Sequence, residues 1–306
     1  MTTPKPNLPH NKHRRHQRGA AMLILMLIVM LGLITLFTFR MDRKGPELNA
    51  DRQTALALAQ AKEALLGRTA SNSDVGTLSC PSVYLTGVAN TTGSDCISTS
   101  PSIPKYAGRY PWKTLRMGNL YDGTGERLWY VMSPNFIDKG TAVTPATPGT
   151  ISVNGIPNVA AVIIAPGPTL SGQSRSTGND VIMSNYVESY VSNTVINTAI
   201  SPGNDRVITI TAAEMFGLIT QRMAREFAAE VSAYYAANGI YPPTSWVPTN
   251  GDWASGGHFE NWADPTVTYF SNVSSTRGSL AFPPCVGTFD IQHVGTNDTV
   301  KGRLNC

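Results

Sequence analysis

Catalysis or metal binding needs His, Cys or paired carboxylates within reach of one another, and few stretches of this chain offer them. His258 has Asp252, Glu260 and Asp264 around it, a set with the ligand types for a divalent cation. The same stretch holds Trp246, Trp253 and Trp262 and lacks the spacing of an EF-hand loop, so a small packed loop is the simpler expectation. Of the five His, His10, His13 and His16 lie in a basic N-terminal arm, which leaves only His258 and His293. No GxSxG elbow, HExxH, Walker loop or strand-linked GxGxxG is present. Gly172-Gln-Ser-Arg-Ser176 has the look of a nucleophile turn but lacks the second Gly, and is expected to be a loop. The chain is therefore read as a non-enzyme with no catalytic residue, cofactor or metal.

The four cysteines allow three pairings. Their spacing favours Cys80–Cys96 and Cys285–Cys306, each closing a short loop and each worth about 3 kcal/mol on a chain-entropy basis. A zinc site needs CxxC-type spacing or nearby His, and neither exists. A terminal Cys306 suits a bond that pins an end that otherwise frays.

The elements that position these residues follow from composition. The 306 residues are 42% hydrophobic and only 14% charged, well below the norm of about 25%, which argues against a disordered chain, a coiled coil or a nucleic-acid binder. The net charge of +4 comes from one end: Lys5, Lys12, Arg14, Arg15 and Arg18 stand among the first 18 residues with no acid. Without those five, 19 basic residues face 20 acidic ones, so the body has no basic footprint. From Ala20 to Phe39 there is no charge, a run long enough as a helix to match a bilayer core of roughly 30 Å. The basic arm ahead of it predicts a single crossing, with the N-terminus in the cytoplasm and everything after Arg40 exported.

Three processing routes fit such a segment. A cleaved secretory signal needs a small-x-small site after the run, and Phe37-Thr-Phe-Arg-Met-Asp offers none. An uncut signal anchor remains open. The third route cuts before the run: Arg14-Arg-His-Gln-Arg-Gly19 followed by Ala20-Ala-Met-Leu-Ile resembles the leader of type IV pilins and pseudopilins. That resemblance implies cleavage between Gly19 and Ala20 by a prepilin peptidase and N-methylation of Ala20. It also implies assembly through the N-terminal helix, here marked by Ile24, Gly32 and Pro46. Most pilins carry Glu at the fifth mature residue, where this chain has Ile24. Its absence resembles minor pilins and the large tip pseudopilin rather than a fibre-forming major pilin. Pro111-Trp-Lys-Thr-Leu and Asp122-Gly-Thr-Gly-Glu-Arg-Leu-Trp-Tyr also look like a stretch that recurs in large pilin-like proteins. A C-terminal disulfide is likewise a habit of the family.

Residues 47–66 are strong helix formers, with Leu58 and Leu65 on one face, Ala55 and Ala61 beside them, Pro46 in the first turn and Gly67 as the expected stop. Strands are expected at the Trp-Tyr-Val-Met run ending at Met132, at Val159–Ala165 and at Val207–Ile210. Gly167 to Asn204 reads as a polar surface excursion. Thr211-Ala-Ala-Glu214 is a capping box, opening a helix with Met215, Ile219, Met223, Phe227, Val231 and Tyr234 on one stripe and a stop at Asn238-Gly239. Further strands are expected at Val267–Phe270, Ser279–Phe282 and Gly287–Val294.

The fold expectation is α+β: a long N-terminal membrane-spanning helix bearing an antiparallel-sheet head, with a second helix-plus-sheet module as an option. The divisions are 1–19 leader, 20–39 transmembrane helix, 40–67 exported helix, 68–210 first head module and 211–306 second module. The functional expectation is a minor pilin-like or pseudopilin-like structural subunit of a type IV pilus or type II secretion system. Its expected partners are the prepilin peptidase, other pilin or pseudopilin subunits and the inner membrane, with no nucleic acid. It is expected as a single-pass protein of the bacterial inner membrane with a periplasmic head, or in a periplasmic or extracellular filament. The rivals are a membrane-anchored exported enzyme and a pilus-tip adhesin with a Trp-rich surface.

Overall fold

The structure is a computed structural model describing residues 22–33, 44–71, 75–92, 95–96, 104–137, 143–249, 253, 259, 269–294 and 297–306. The chain divides into two units, residues 1–51 and 52–306.

In the first unit, residues 22–33 form helix α1, and every one of them is exposed. Helix α2 (Lys44–Ser71) begins there and continues into the second unit, with Pro46 in its first turn as expected for a residue without a donor N–H. No helix among the described residues is long and apolar enough to cross a membrane. Helix α1 as described rises only about 18 Å, against the roughly 30 Å a span requires. This corrects the expected membrane-spanning N-terminal helix, and with it the expected single-pass inner-membrane placement with a cytoplasmic N-terminus and periplasmic head.

Helix α2 does not stop at Gly67. The buried stripe Thr54, Ala57, Leu58, Ala61, Leu65, Leu66 and Thr69 runs past it, while Gly67 and Ala55 face outward. Thr69 closes the last turn, its hydroxyl donating to the Leu66 carbonyl at 2.8 Å and its own carbonyl accepting from Gly76 N.

The strands of the second unit are β1 (Thr91–Thr92), β2 (Asp95–Cys96), β3 (Ala107–Arg109), β4 (Trp129–Met132), β5 (Ile151–Val153), β6 (Ile156–Ala165), β7 (Tyr190–Ser192), β8 (Val195–Ile196) and β9 (Arg206–Thr211). Helix α3 (Ala212–Asn238) follows, then β10 (Phe270–Ser274), β11 (Arg277–Leu280), β12 (Phe289–Val294) and β13 (Asn297–Gly302). Strands β1 and β2 form a small hairpin, β3 to β9 make a seven-stranded sheet, and β10 to β13 make a four-stranded antiparallel meander. Strand β6 organises the larger sheet. Val159 pairs with Ile151 of β5 and with Thr211 of β9, and Ile163 pairs with Tyr130 of β4 and Ile208 of β9. One edge of β6 is therefore shared end to end by β4 and β5, and the other belongs to β9. Strand β8 joins β5 in parallel, so the sheet is mixed, a second correction to the antiparallel head.

Both faces of this sheet are buried. Tyr130, Met132, Ala161 and Ile163 enter one core with α2, α3 and the four-stranded sheet. Trp129, Val131, Val162 and Ile164, pointing the other way, enter a second core with Met183, Tyr186, Val187 and Ile196. The 167–204 excursion, read from sequence as a polar surface loop, thus supplies the cover for the sheet's outer face. Strands hydrophobic at every position require a cover on both sides.

Helix α3 begins as its sequence dictates: Thr211 Oγ1 accepts from Glu214 N at 3.1 Å, and Gly239 ends it in the left-handed region at φ 67°. The Glu214 carboxylate pairs with Lys62 of α2 at 2.7 Å, tying the two helices. Since α3 packs on both sheets, the C-terminal region shares one core with the rest of this unit rather than standing as a separate module.

Candidate functional site

Gly19 and Ala20 lie outside the described residues, as do Asp252, His258, Glu260, Trp262 and Asp264. Ile24 is 60% exposed, and a Cβ added at Gly32 would meet nothing within 4 Å, so the assembly helix presents apolar surface outward. Pro46 is also exposed. The cysteines form two disulfides, Cys80–Cys96 and Cys285–Cys306. The first staples the loop after α2 to β2, and the second anchors the chain end beside the antiparallel bridge of Val286 and Asn305.

The two described tryptophans of the Trp-rich stretch, Trp246 and Trp253, turn inward. Trp246 and Trp253 meet the Phe227 ring edge-on at 5.6 and 5.3 Å, and Trp253 packs on Phe259 at 5.1 Å. Trp253 is buried, so its indole serves the core and is not offered to a ligand. The Gly172–Ser176 turn is a loop: Gln173 Oε1 accepts from Leu170 N at 2.9 Å and from Arg175 at 2.8 Å. Among the described residues no three His, Cys, Asp or Glu side chains converge as a metal site.

Sequence reasoning missed one constellation. Ser232 on α3, His293 on β12 and Asp298 on β13 come together, three residue types that serve nucleophilic catalysis when suitably ordered. The order here is different. Ser232 donates to Asp298 Oδ2 at 2.7 Å, Tyr241 donates to Oδ1 at 3.1 Å, and His293 Nδ1 lies 3.2 Å from Oδ1. The carboxylate stands between hydroxyl and imidazole, whereas a triad needs the imidazole between the other two. Asp298, its side chain 1% exposed, works as an anchor that fastens α3 and the loop after it to the β12–β13 hairpin. The Tyr235 ring, tilted 35° to that of His293 and 4.3 Å from it, closes the cluster. Burial pushes the Tyr110, Tyr130 and Tyr241 phenols well above their ordinary value, so none serves as a base.

Two shallow grooves run beside α3. One of about 770 Å³ lies between Glu63 of α2, Glu214 and Gln221 of α3, and the tail at Arg303–Cys306. The other, of about 620 Å³, lies between α3 and β13 and is lined in part by Arg225, Ser232 and Asp298. The second groove holds the Ser232–Asp298 pair, in which the hydroxyl meets the carboxylate with no imidazole between them. Two further polar centres hold loops in place. Asp122, fully buried, accepts from Thr124 N, Thr124 Oγ1, Glu126 N and Gly167 N at 2.7–2.9 Å. Arg109 lies against both the Trp129 and Tyr186 rings, 4.1 Å from each, beside the contact those rings make with each other at 5.5 Å, and donates to the Asp180 and Arg127 carbonyls. Burial lowers its pKa to about 10. Among the described residues, the polar clusters at Asp122, Arg109 and Asp298 fasten loops and elements to one another. No family model, curated protein or solved structure matches this chain.

Proposed function

We propose that the protein is a minor pilin-like or pseudopilin-like structural subunit of a type IV pilus or type II secretion system. A prepilin peptidase cuts it between Gly19 and Ala20, and it assembles with other pilin or pseudopilin subunits through its N-terminal helix. The observation that carries this reading is the Arg18-Gly19-Ala20 junction immediately ahead of α1, whose apolar residues, Leu23 at 71% and Leu27 at 63% among them, are all exposed. A contiguous apolar surface of this kind is an interaction site in a folded protein. Neighbouring N-terminal helices of like sequence are its natural cover. The two disulfides fit a head matured in an oxidising compartment. The fastening role of Asp122 and Asp298 fits a subunit that must be firm rather than catalytic.

The test is the intact mass and N-terminal sequence of the protein from cells with and without prepilin peptidase. A mature chain that begins at a methylated Ala20 and disappears with the peptidase supports the reading. A chain that keeps residues 1–19 in both strains overturns it.

A further inference from the structure

We propose that the corner where Glu188 and Ser189 meet Asp205 is a binding site for a hard divalent cation, calcium by ligand chemistry, which clamps the middle of the 167–204 excursion to its returning limb. Ser189 N donates to Asp205 Oδ2 at 2.7 Å, and Asn197 N donates to the Ser189 carbonyl at 2.7 Å, so the backbone already holds the corner. The Glu188 and Asp205 carboxyl groups lie against each other. Gln173 Nε2 donates to Glu188 Oε1, the one donor that the Glu188 carboxylate receives among the described residues. Three oxygens remain buried without a hydrogen-bond partner: Glu188 Oε2, Asp205 Oδ1 and Ser189 Oγ. Ser189 is 2% exposed, and its hydroxyl stands beside the Asp205 carboxylate without bonding geometry.

Among the described residues neither carboxylate has a basic side chain against it. Arg175 reaches Glu188 only through Gln173, and its guanidinium is already engaged by the Gly167 and Asn185 carbonyls and by Glu126 at 3.4 Å. Two like charges in contact and withdrawn from water are tolerated only if a proton or a cation lies between them. A shared proton answers the two carboxylates but leaves the Ser189 oxygen idle. A cation uses all three oxygens, its double charge balances the two carboxylates, and water completes the shell on the half-exposed Glu188 side. Calcium accepts such irregular all-oxygen sets, whereas magnesium demands a tight octahedron. With few protein ligands, the affinity belongs to the weak class, Kd on the order of 10⁻⁴–10⁻³ M.

The test is a calcium titration of the full chain at about pH 8, above the raised Asp205 pKa of about 7, read by calorimetric stoichiometry and by Tm. One calcium bound through this corner, and a Tm rise of about 3 °C at calcium about tenfold above Kd, are expected. D205N and E188Q should each lose that binding, with a calcium-free Tm no lower than that of the parent because the repulsion is gone; if one fails to fold, the other decides. Three outcomes overturn the site: no calcium-dependent rise in the parent, a rise that survives in both variants, or stabilisation won only by acidification. The last assigns the corner to a shared proton.

Discussion

The Asp122 turn is a buried carboxylate centre and the Asp205 corner a half-buried one, both at loop junctions of the seven-stranded sheet, and they are built to opposite rules. Asp122 receives four donors from Thr124, Glu126 and Gly167, while its backbone carbonyl takes Gln53 Nε2 and Gly123 N donates to Thr54. Asp205 receives one backbone donor and faces a second carboxylate. The first centre is complete within the chain, whereas the second is short of positive charge. A protein that satisfies Asp122 and Asp298 so thoroughly shows that its loops can supply donors, which makes the shortage at Asp205 informative. Buried polar groups are ordinarily paired, and a cluster that is not paired points to something else that binds there.

The largest way to break the comparison is Asp122→Ala. It strands four donors at once and is expected to lower unfolding free energy by about 3 kcal/mol or more in urea titrations of the purified chain. A loss below about 1 kcal/mol would show that the turn is held by its backbone alone. Next comes Asp298→Ala, which releases Ser232, Tyr241 and His293 from one anchor and should cost about 2 kcal/mol by the same measurement.

Asp205→Asn should act in the opposite direction in calcium-free buffer. Burial and the neighbouring Glu188 raise the Asp205 pKa to about 7, against about 3.9 in the unfolded chain. Between those values the folded chain holds more protons than the unfolded one, so stability falls as pH rises from about 4 to about 7. The variant should flatten that slope in Tm measured across the window, and an unchanged slope would remove Asp205 as its source. The smallest contrast sets two hydroxyls side by side. Ser232→Ala takes a donor from Asp298 and should cost about 1 kcal/mol. Ser189→Ala, without calcium, removes a hydroxyl that makes no hydrogen bond and should change stability by no more than about 0.5 kcal/mol.

Much of the local structure was legible in the residues themselves. The Thr211–Glu214 cap, the Gly239 stop, the stripe from Met215 to Val231 and the hydrophobic runs of β4, β6 and β9 depend on neighbours a few positions away, and the described structure has them. The disulfide pairing favoured by spacing is the pairing present. Beyond the membrane-spanning helix and the antiparallel head, two readings failed for tertiary reasons. Gly67 was expected to end α2, but buried Leu66 and Thr69 carry the helix past it. The 167–204 stretch was expected to lie on the surface, yet Met183, Tyr186 and Ile196 close the sheet's outer face. A signal for that cover existed: β4 and the buried part of β6 show no polar alternation, so neither face was meant for water.

By itself, then, the sequence determined where α3 begins and stops, which residues line its buried stripe and which cysteines lie near enough to pair, because all of these rest on short-range geometry. Only the tertiary structure decided that Asp122 meets Gly167 across 45 positions, that Ser232 meets Asp298 across 66, and that Asp205 meets Glu188 rather than a basic side chain. The physical reason is that a polar side chain declares its chemistry in one letter, but its partners are chosen by the packing of apolar surfaces far along the chain. Whether a buried carboxylate is a finished fastening or an open seat for a ligand depends on those partners.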